Sequence, residues 1–154
     1  MISLVRVPRV HSRKRIRMAL EFFAERLMGK RLAKSVFVEV TFVNGMTDRT
    51  GDYGLASWED RPHRPREFTI LVDRDLKEDL LLRTLAHEMV HVKQHAKGEL
   101  TSSLRNANLS RWHDEVVDDR VVKYRSLPWE KEAFSLEKVL VKEFKQHEAK
   151  ASEA

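Results

Sequence analysis

The chain has 154 residues, 42% of them hydrophobic and 34% charged, with 29 Lys/Arg against 24 Asp/Glu and no cysteine. That length supports one real core, so 1–154 is read as a single domain. The missing cysteines exclude disulfides and thiolate metal ligands. No apolar run approaches the ~18 residues needed to cross a bilayer, so no membrane partner is expected. The first residues lack the charged-then-apolar order of a signal peptide, and the expected location is the cytoplasm of the producing or host cell.

Charge is uneven. Residues 1–35 carry 10 Lys/Arg against Glu21 and Glu25, a net +8, while the remainder carries 19 against 22, a net −3. Arg13, Lys14, Arg15 and Arg17 are therefore candidate contacts to DNA or to an acidic partner, weighed against a merely solvated helix face. No aromatic residues are interleaved through 9–17 as base-stacking would need.

In chain order, residues 12–30 predict an amphipathic helix. Ile16, Ala19, Leu20, Phe23 and Leu27 lie at helical spacing, and Gly29 stands near its exit. Residues 35–43 alternate, with Val36, Val38, Val40 and Phe42 on one side, which predicts a strand closed by the Asn44-Gly45 turn. Residues 46–66 are loop-rich. Tyr53–Trp58 and Glu67–Val72 predict a hairpin whose strand just before the next helix could offer its edge to an extended peptide. Asp75 and Glu78 predict a capping box, and Gly98 a helix end, for a helix running to about Lys97. Residues 99–127 read as polar and irregular, with a short strand at 121–124. Pro128 suits the first turn of a last helix, which buries Trp129, Ala133, Leu136, Leu140 and Phe144. From about 146 the tail is expected to fray. Together these make an α+β fold: an N-terminal helix, a small sheet of about three strands, and two further helices.

The third of these helices in chemical interest is the one near residue 90. His87-Glu88-Met89-Val90-His91 has the HExxH spacing, which this composition of 7 His and 15 Glu would produce by chance only roughly 0.03 times. Four residues advance a helix by about 6 Å and turn it about 400°, so both imidazoles project from one face. They can share one metal ion, with Glu88 beside it as a general base. Leu81, Leu82, Leu85, Ala86, Met89 and Val92 make the rest of the helix apolar. Polar residues on such a helix are costly to bury without partners.

A catalytic zinc takes three protein ligands and keeps one open position. His95 lies about 12 Å along the axis from His87, too far to share the ion. A glutamate from a second helix would complete a His₂Glu site, and Pro128-Trp129-Glu130-Lys131-Glu132-Ala133 offers Glu130 or Glu132.

The two segments together resemble the glutamate-zincins, metallopeptidases whose second helix carries Glu-x-x-Ala. They are similar above all to short phage-encoded metallopeptidases of SprT-like name, through HEMVHVKQ and, some forty residues later, PWE-x-EA. Residues 85–99 and 128–137 carry this resemblance; the remainder agrees only in order and size. The resemblance implies a minimal zincin core with one Zn²⁺ per chain, held by His87, His91 and Glu130, with Glu132 as the alternate. It implies a peptide or protein substrate, and it adds virion association as an alternative location. Phe134 departs from the pattern, because relatives place Asp or Asn there to orient a ligand histidine, so another group must do that work.

The expected activity is hydrolysis of peptide bonds by zinc-activated water with Glu88 as base. His113 and Tyr124, between the two helices, are candidate donors to the oxyanion. The alternatives are a non-catalytic zinc-containing or virion-associated binding protein, and a SprT-like protease recruited to DNA.

Overall fold

A computed structural model describes residues 1–102 and 108–153. The element order is β1 (Ile2–Val5), α1 (Arg13–Ser35), β2 (Phe37–Val43), α2 (Met46–Thr50), β3 (Gly54–Trp58), β4 (Glu67–Asp73), α3 (Glu78–Ala96), β5 (Leu100–Ser102), β6 (Leu109–Trp112), β7 (Glu115–Asp118) and α4 (Pro128–Glu153). A single 3-10 turn, Tyr124–Ser126, precedes α4. The fold is α+β.

The main sheet has the order β1-β2-β4-β3. β1, β2 and β4 are parallel, and β3 pairs antiparallel to β4 with Gly54 opposite Val72 and Trp58 opposite Phe68. Alternation along β2 turns Val38, Val40 and Phe42 inward, and β4 does the same with Phe68, Ile70 and Val72. Those six side chains meet Leu20 and Phe23 of α1, then Leu81, Leu85 and Met89 of α3, in one continuous core. α4 closes it with Ala133, Leu140 and Phe144. A smaller cluster of Leu100, Leu127 and Trp129, with Trp112 and Val117 packed on it, lies under the second sheet, β5-β6-β7.

Several expectations change. The sheet of about three strands is a four-stranded sheet plus a separate three-stranded one, because Ile2–Val5 joins the edge of β2 and the span read as irregular folds into a meander. Residues 103–107 of that span lie outside the described residues. The strand expected at 121–124 is not formed; Tyr124 begins the 3-10 turn instead. The first helix runs on to Ser35, with non-helical backbone at Gly29 (φ 79°), a conformation that favours glycine. The capping box fails as well. Asp73 accepts the Thr47 and Asp75 amides at 2.8 and 2.9 Å, and α3 begins later, behind Lys77. Glu78 is thereby left to pair with Arg15. Gly98 (φ 74°) does end that helix, with its amide donating to His95 O. The segment beyond 146, where fraying is expected, continues the last helix. α4 is helical through Glu153, and Arg15 grips Glu148 at 2.8 and 2.9 Å.

α3 is the axis of the molecule. It is buried nearly all round, which for a helix means a central position rather than a surface one. Among the described residues no helix is long and apolar enough to cross a membrane.

Candidate metal centre

Among the described residues, six of the seven buried polar or charged side chains lie on two elements: Thr84, His87, Glu88, Gln94 and His95 on α3, and Glu130 on α4. The seventh, Asp73, is the turn acceptor already described. Each buried polar group costs free energy unless it is paired, so their pairing is what defines the site.

α4 packs along α3 and places Glu130 over the HExxH turn. The His87 Nε2 to Glu130 Oε1 distance is 3.1 Å, His91 Nε2 to Glu130 Oε2 is 3.2 Å, and the two Nε2 atoms are 3.2 Å apart. His87, His91 and Glu130 form a buried group that could hold a metal ion. The fit can be tested from bond lengths. Ligands about 2.0–2.1 Å from a tetrahedral ion lie about 3.3 Å from one another, close to the observed separations.

The outer nitrogens explain why both Nε2 atoms face inward. His87 Nδ1 lies 2.8 Å from Glu137 Oε2, and an Nδ1–H donated to that carboxylate would leave the Nε2 lone pair for an ion. His91 Nδ1–H donates to Gln94 Oε1 at 2.8 Å. The Gln94 amide cannot flip without loss, because its Nε2 already donates to Trp129 O at 2.9 Å and Glu132 Oε1 at 3.1 Å. Glu132 in turn accepts from Lys93 Nζ at 2.8 Å. Glu132, the alternate third ligand, is thus spent on a cation and an amide, two residues along the helix from the carboxylate that meets both histidines.

Electrostatics follow this geometry. Burial disfavours a charged His87, but its bonds to Glu130 and Glu137 and the nearby Glu88 and Glu130 charges outweigh that and carry it up to about 9. His91 is raised for the same reason, with Glu130 outweighing burial. Burial raises Glu130, yet its bonds to the two imidazoles hold it down at about 2. Three donor atoms kept this close call for a positive charge among them. A proton serves, and so does a metal ion.

Comparisons with protein-family models, with curated proteins and with solved structures find no match to this chain. The site is therefore read from its own chemistry.

Glu88 lines the cleft beside β3, next to the donor group but not part of it. Its carboxyl is raised by burial, against the opposing pull of His91 and His87 and of the Ala56 backbone in β3. Two connected hollows, about 430 and 410 Å3, share Glu88, Asp52, Gly54 and Tyr124. The Tyr124 phenol, though more than half exposed, is raised above its ordinary value by partial burial and by the nearby Glu130 carboxylate. Of the two expected oxyanion donors, Tyr124 is at the cleft. His113 is not among the residues lining either hollow; it forms the turn after β6, its ring against Trp112 and its amide on Glu99 O. His95 stacks on Trp58 at 4.0 Å and is outside the donor group; burial, then the His91 charge, holds it down at about 4.

Three of the basic N-terminal residues have acceptors within the fold. Arg13 donates to Leu4 O, Arg17 to Ile2 O, and Arg15 binds Glu78 and Glu148. Three of the four candidate nucleic-acid contacts therefore tie α1 to β1, α3 and α4, although Arg13 remains exposed. Lys14 is exposed.

Gln94 and Glu137 went unread from the sequence. A signal existed for both: Gln94 is seven residues after His87, and Glu137 seven after Glu130, so each lies two turns along the same helix face.

Proposed function

We propose that the protein is a zinc-dependent metallopeptidase, with one zinc per chain held by His87, His91 and Glu130. The observation that carries the reading is Glu88: a buried carboxyl lining a cleft, next to two histidines whose Nε2 atoms converge on the Glu130 carboxylate. A purely structural zinc closes with four protein ligands and has no use for such a base. A zinc ion held here supplies Lewis acidity, lowering the pKa of its water from 15.7 to about 7 and polarising a carbonyl.

The chain's own residues do the remainder. An extended peptide pairs with the outer edge of β3, the end strand of the main sheet, so its carbonyl passes above Glu88. Glu88 accepts the proton of the attacking water and delivers it to the leaving amine. Tyr124 donates its O–H to the carbonyl oxygen as negative charge builds there. Glu137 and Gln94 keep the histidine rings in one tautomer throughout.

The test combines metal content with turnover on a peptide mixture. Wild type, Glu88→Gln and Glu132→Ala should each hold about one zinc, and His87→Ala, His91→Ala and Glu130→Ala should hold none. Glu88→Gln should lose turnover. Wild-type turnover in Glu88→Gln would sink the mechanism, and a wild type that takes up no zinc would sink the reading itself.

A further inference from the structure

The two halves of the cleft differ in charge. The half toward the end of β3 is lined by Trp58, Leu100, Leu127 and Trp129. The half toward its start holds Arg83 and Arg125, and Arg83 is shared with a neighbouring groove of about 510 Å3 between α3 and α4. That groove has Val141 and Ala149 in its floor and Lys138, Lys142 and Lys145 on its rim, all three lysines exposed. Positions 138, 142 and 145 are spaced to line up on one face of α4. The opposing charges are Asp79, which pairs with Lys145 at 2.8 Å, Asp52 at the cleft, and Glu137, which is occupied by His87. Arg125 lies over the Phe134 ring at 4.6 Å and keeps its fork free of carboxylates there. Among the described residues four cations outside any ion pair, Arg125, Arg83, Lys138 and Lys142, thus follow one path out of the site, with Asp52 beside it and Glu88 at its inner end.

The direction of that path is readable. A Cβ at Gly54 would touch Thr84 and Glu88, while Trp58 stacks on His95, so β3 and α3 run the same way. A peptide antiparallel to β3, the more stable pairing and the one β3 already makes with β4, enters at Trp58 and leaves past Gly54. We infer that the protein selects substrates whose chain is acidic on the C-terminal side of the bond cut, docked along Arg125, Arg83, Lys138 and Lys142. The inference rests on the peptidase reading for the word substrate, but the binding it describes does not require turnover. A peptide is favoured over nucleic acid because the path is continuous with a strand edge that pairs with extended backbone.

The test uses metal-loaded full-length protein and short fluorescent peptides in three forms: acidic C-terminal half, acidic N-terminal half, and neutral throughout. Fluorescence anisotropy should give about tenfold tighter binding for the first form at low salt, weakening as salt rises. The Lys138→Glu, Lys142→Glu double variant and Arg83→Glu should each abolish that preference while zinc content stays at the wild-type value. If cleavage is then detected, the products should carry acids after the cut. Acidic preference without any zinc or cleavage leaves the docking path standing and the peptidase reading fallen. Cleavage with no charge preference overturns the path alone. Equal binding of all three forms, preference for the acidic N-terminal half, or tighter lysine-dependent binding of duplex DNA would each overturn it.

Discussion

At the residue scale, the decisive contacts are those one step out from the donor group. Phe134 stands where the resemblance implies Asp or Asn, and its ring packs edge-on against His87 at 4.7 Å without a hydrogen bond to offer. Glu137, three residues further along α4, supplies the carboxylate instead. Glu137→Ala should therefore weaken zinc binding about 10–100-fold, measured by chelator competition, with the helical circular dichroism unchanged. Glu137→Gln keeps an acceptor oxygen and should recover most of the affinity. Equal affinity in wild type and Glu137→Ala would remove the orienting role. The HExxH pair was legible from spacing alone because both histidines sit on one helix. The choice between Glu130 and Glu132 was not, because it depends on which face of α4 meets α3, and that is set by Trp129, Ala133, Leu140 and Phe144 packing elsewhere.

At the scale of elements, the cleft is made by how closely β3 approaches α3. A Cβ on Gly54 would stand 2.8 Å from Thr84 Cγ2, 3.2 Å from Leu71 O and 3.3 Å from Glu88 Cγ. Only glycine allows the strand to lie on the helix at the point where the base sits. Gly54→Ala should destabilise the fold by roughly 1–3 kcal/mol in thermal or denaturant unfolding, since the backbone oxygen of Leu71 cannot yield as a side chain can. An unchanged midpoint would mean that β3 moves freely from the helix. The long helices and the alternating strands β2 and β4 were legible, since each carries its own period. β1 and the β5-β6-β7 meander were not. Strands of three or four residues are too short for a period to show, and they exist only because a partner strand takes their hydrogen bonds. The failed capping box has the same cause: a carboxylate on β4 reached the Asp75 amide first.

For the whole molecule, the donor group is a cross-link. His87 and His91 belong to α3 and Glu130 to α4, and Arg15 of α1 binds both of those helices, so an ion held at the donor group would join, with these ion pairs, all three helices. An ion bound only by the folded chain adds RT ln(1 + [L]/Kd), about 2.7 kcal/mol at a hundredfold excess over Kd. In a domain of this size that should raise the melting temperature by roughly 5–10 °C on adding zinc, and chelator should reverse it. His91→Ala should show no such shift. An identical shift in that variant would place the ion elsewhere.

By itself the sequence determined that two histidines that could share an ion and a glutamate lie within one turn of a helix, because helical geometry converts spacing directly into facing. It also determined the α+β class, since the long periodic segments are apolar on one side and must be covered. Only the tertiary structure decided which glutamate completes the donor group, which acceptors hold its histidines, and that Arg13, Arg15 and Arg17 find acceptors within the fold. Those outcomes depend on which side chains from distant segments arrive together. Local pattern does not carry that information, because a carboxylate or a guanidinium reads the same whether its partner is a metal ligand, a helix or the solvent.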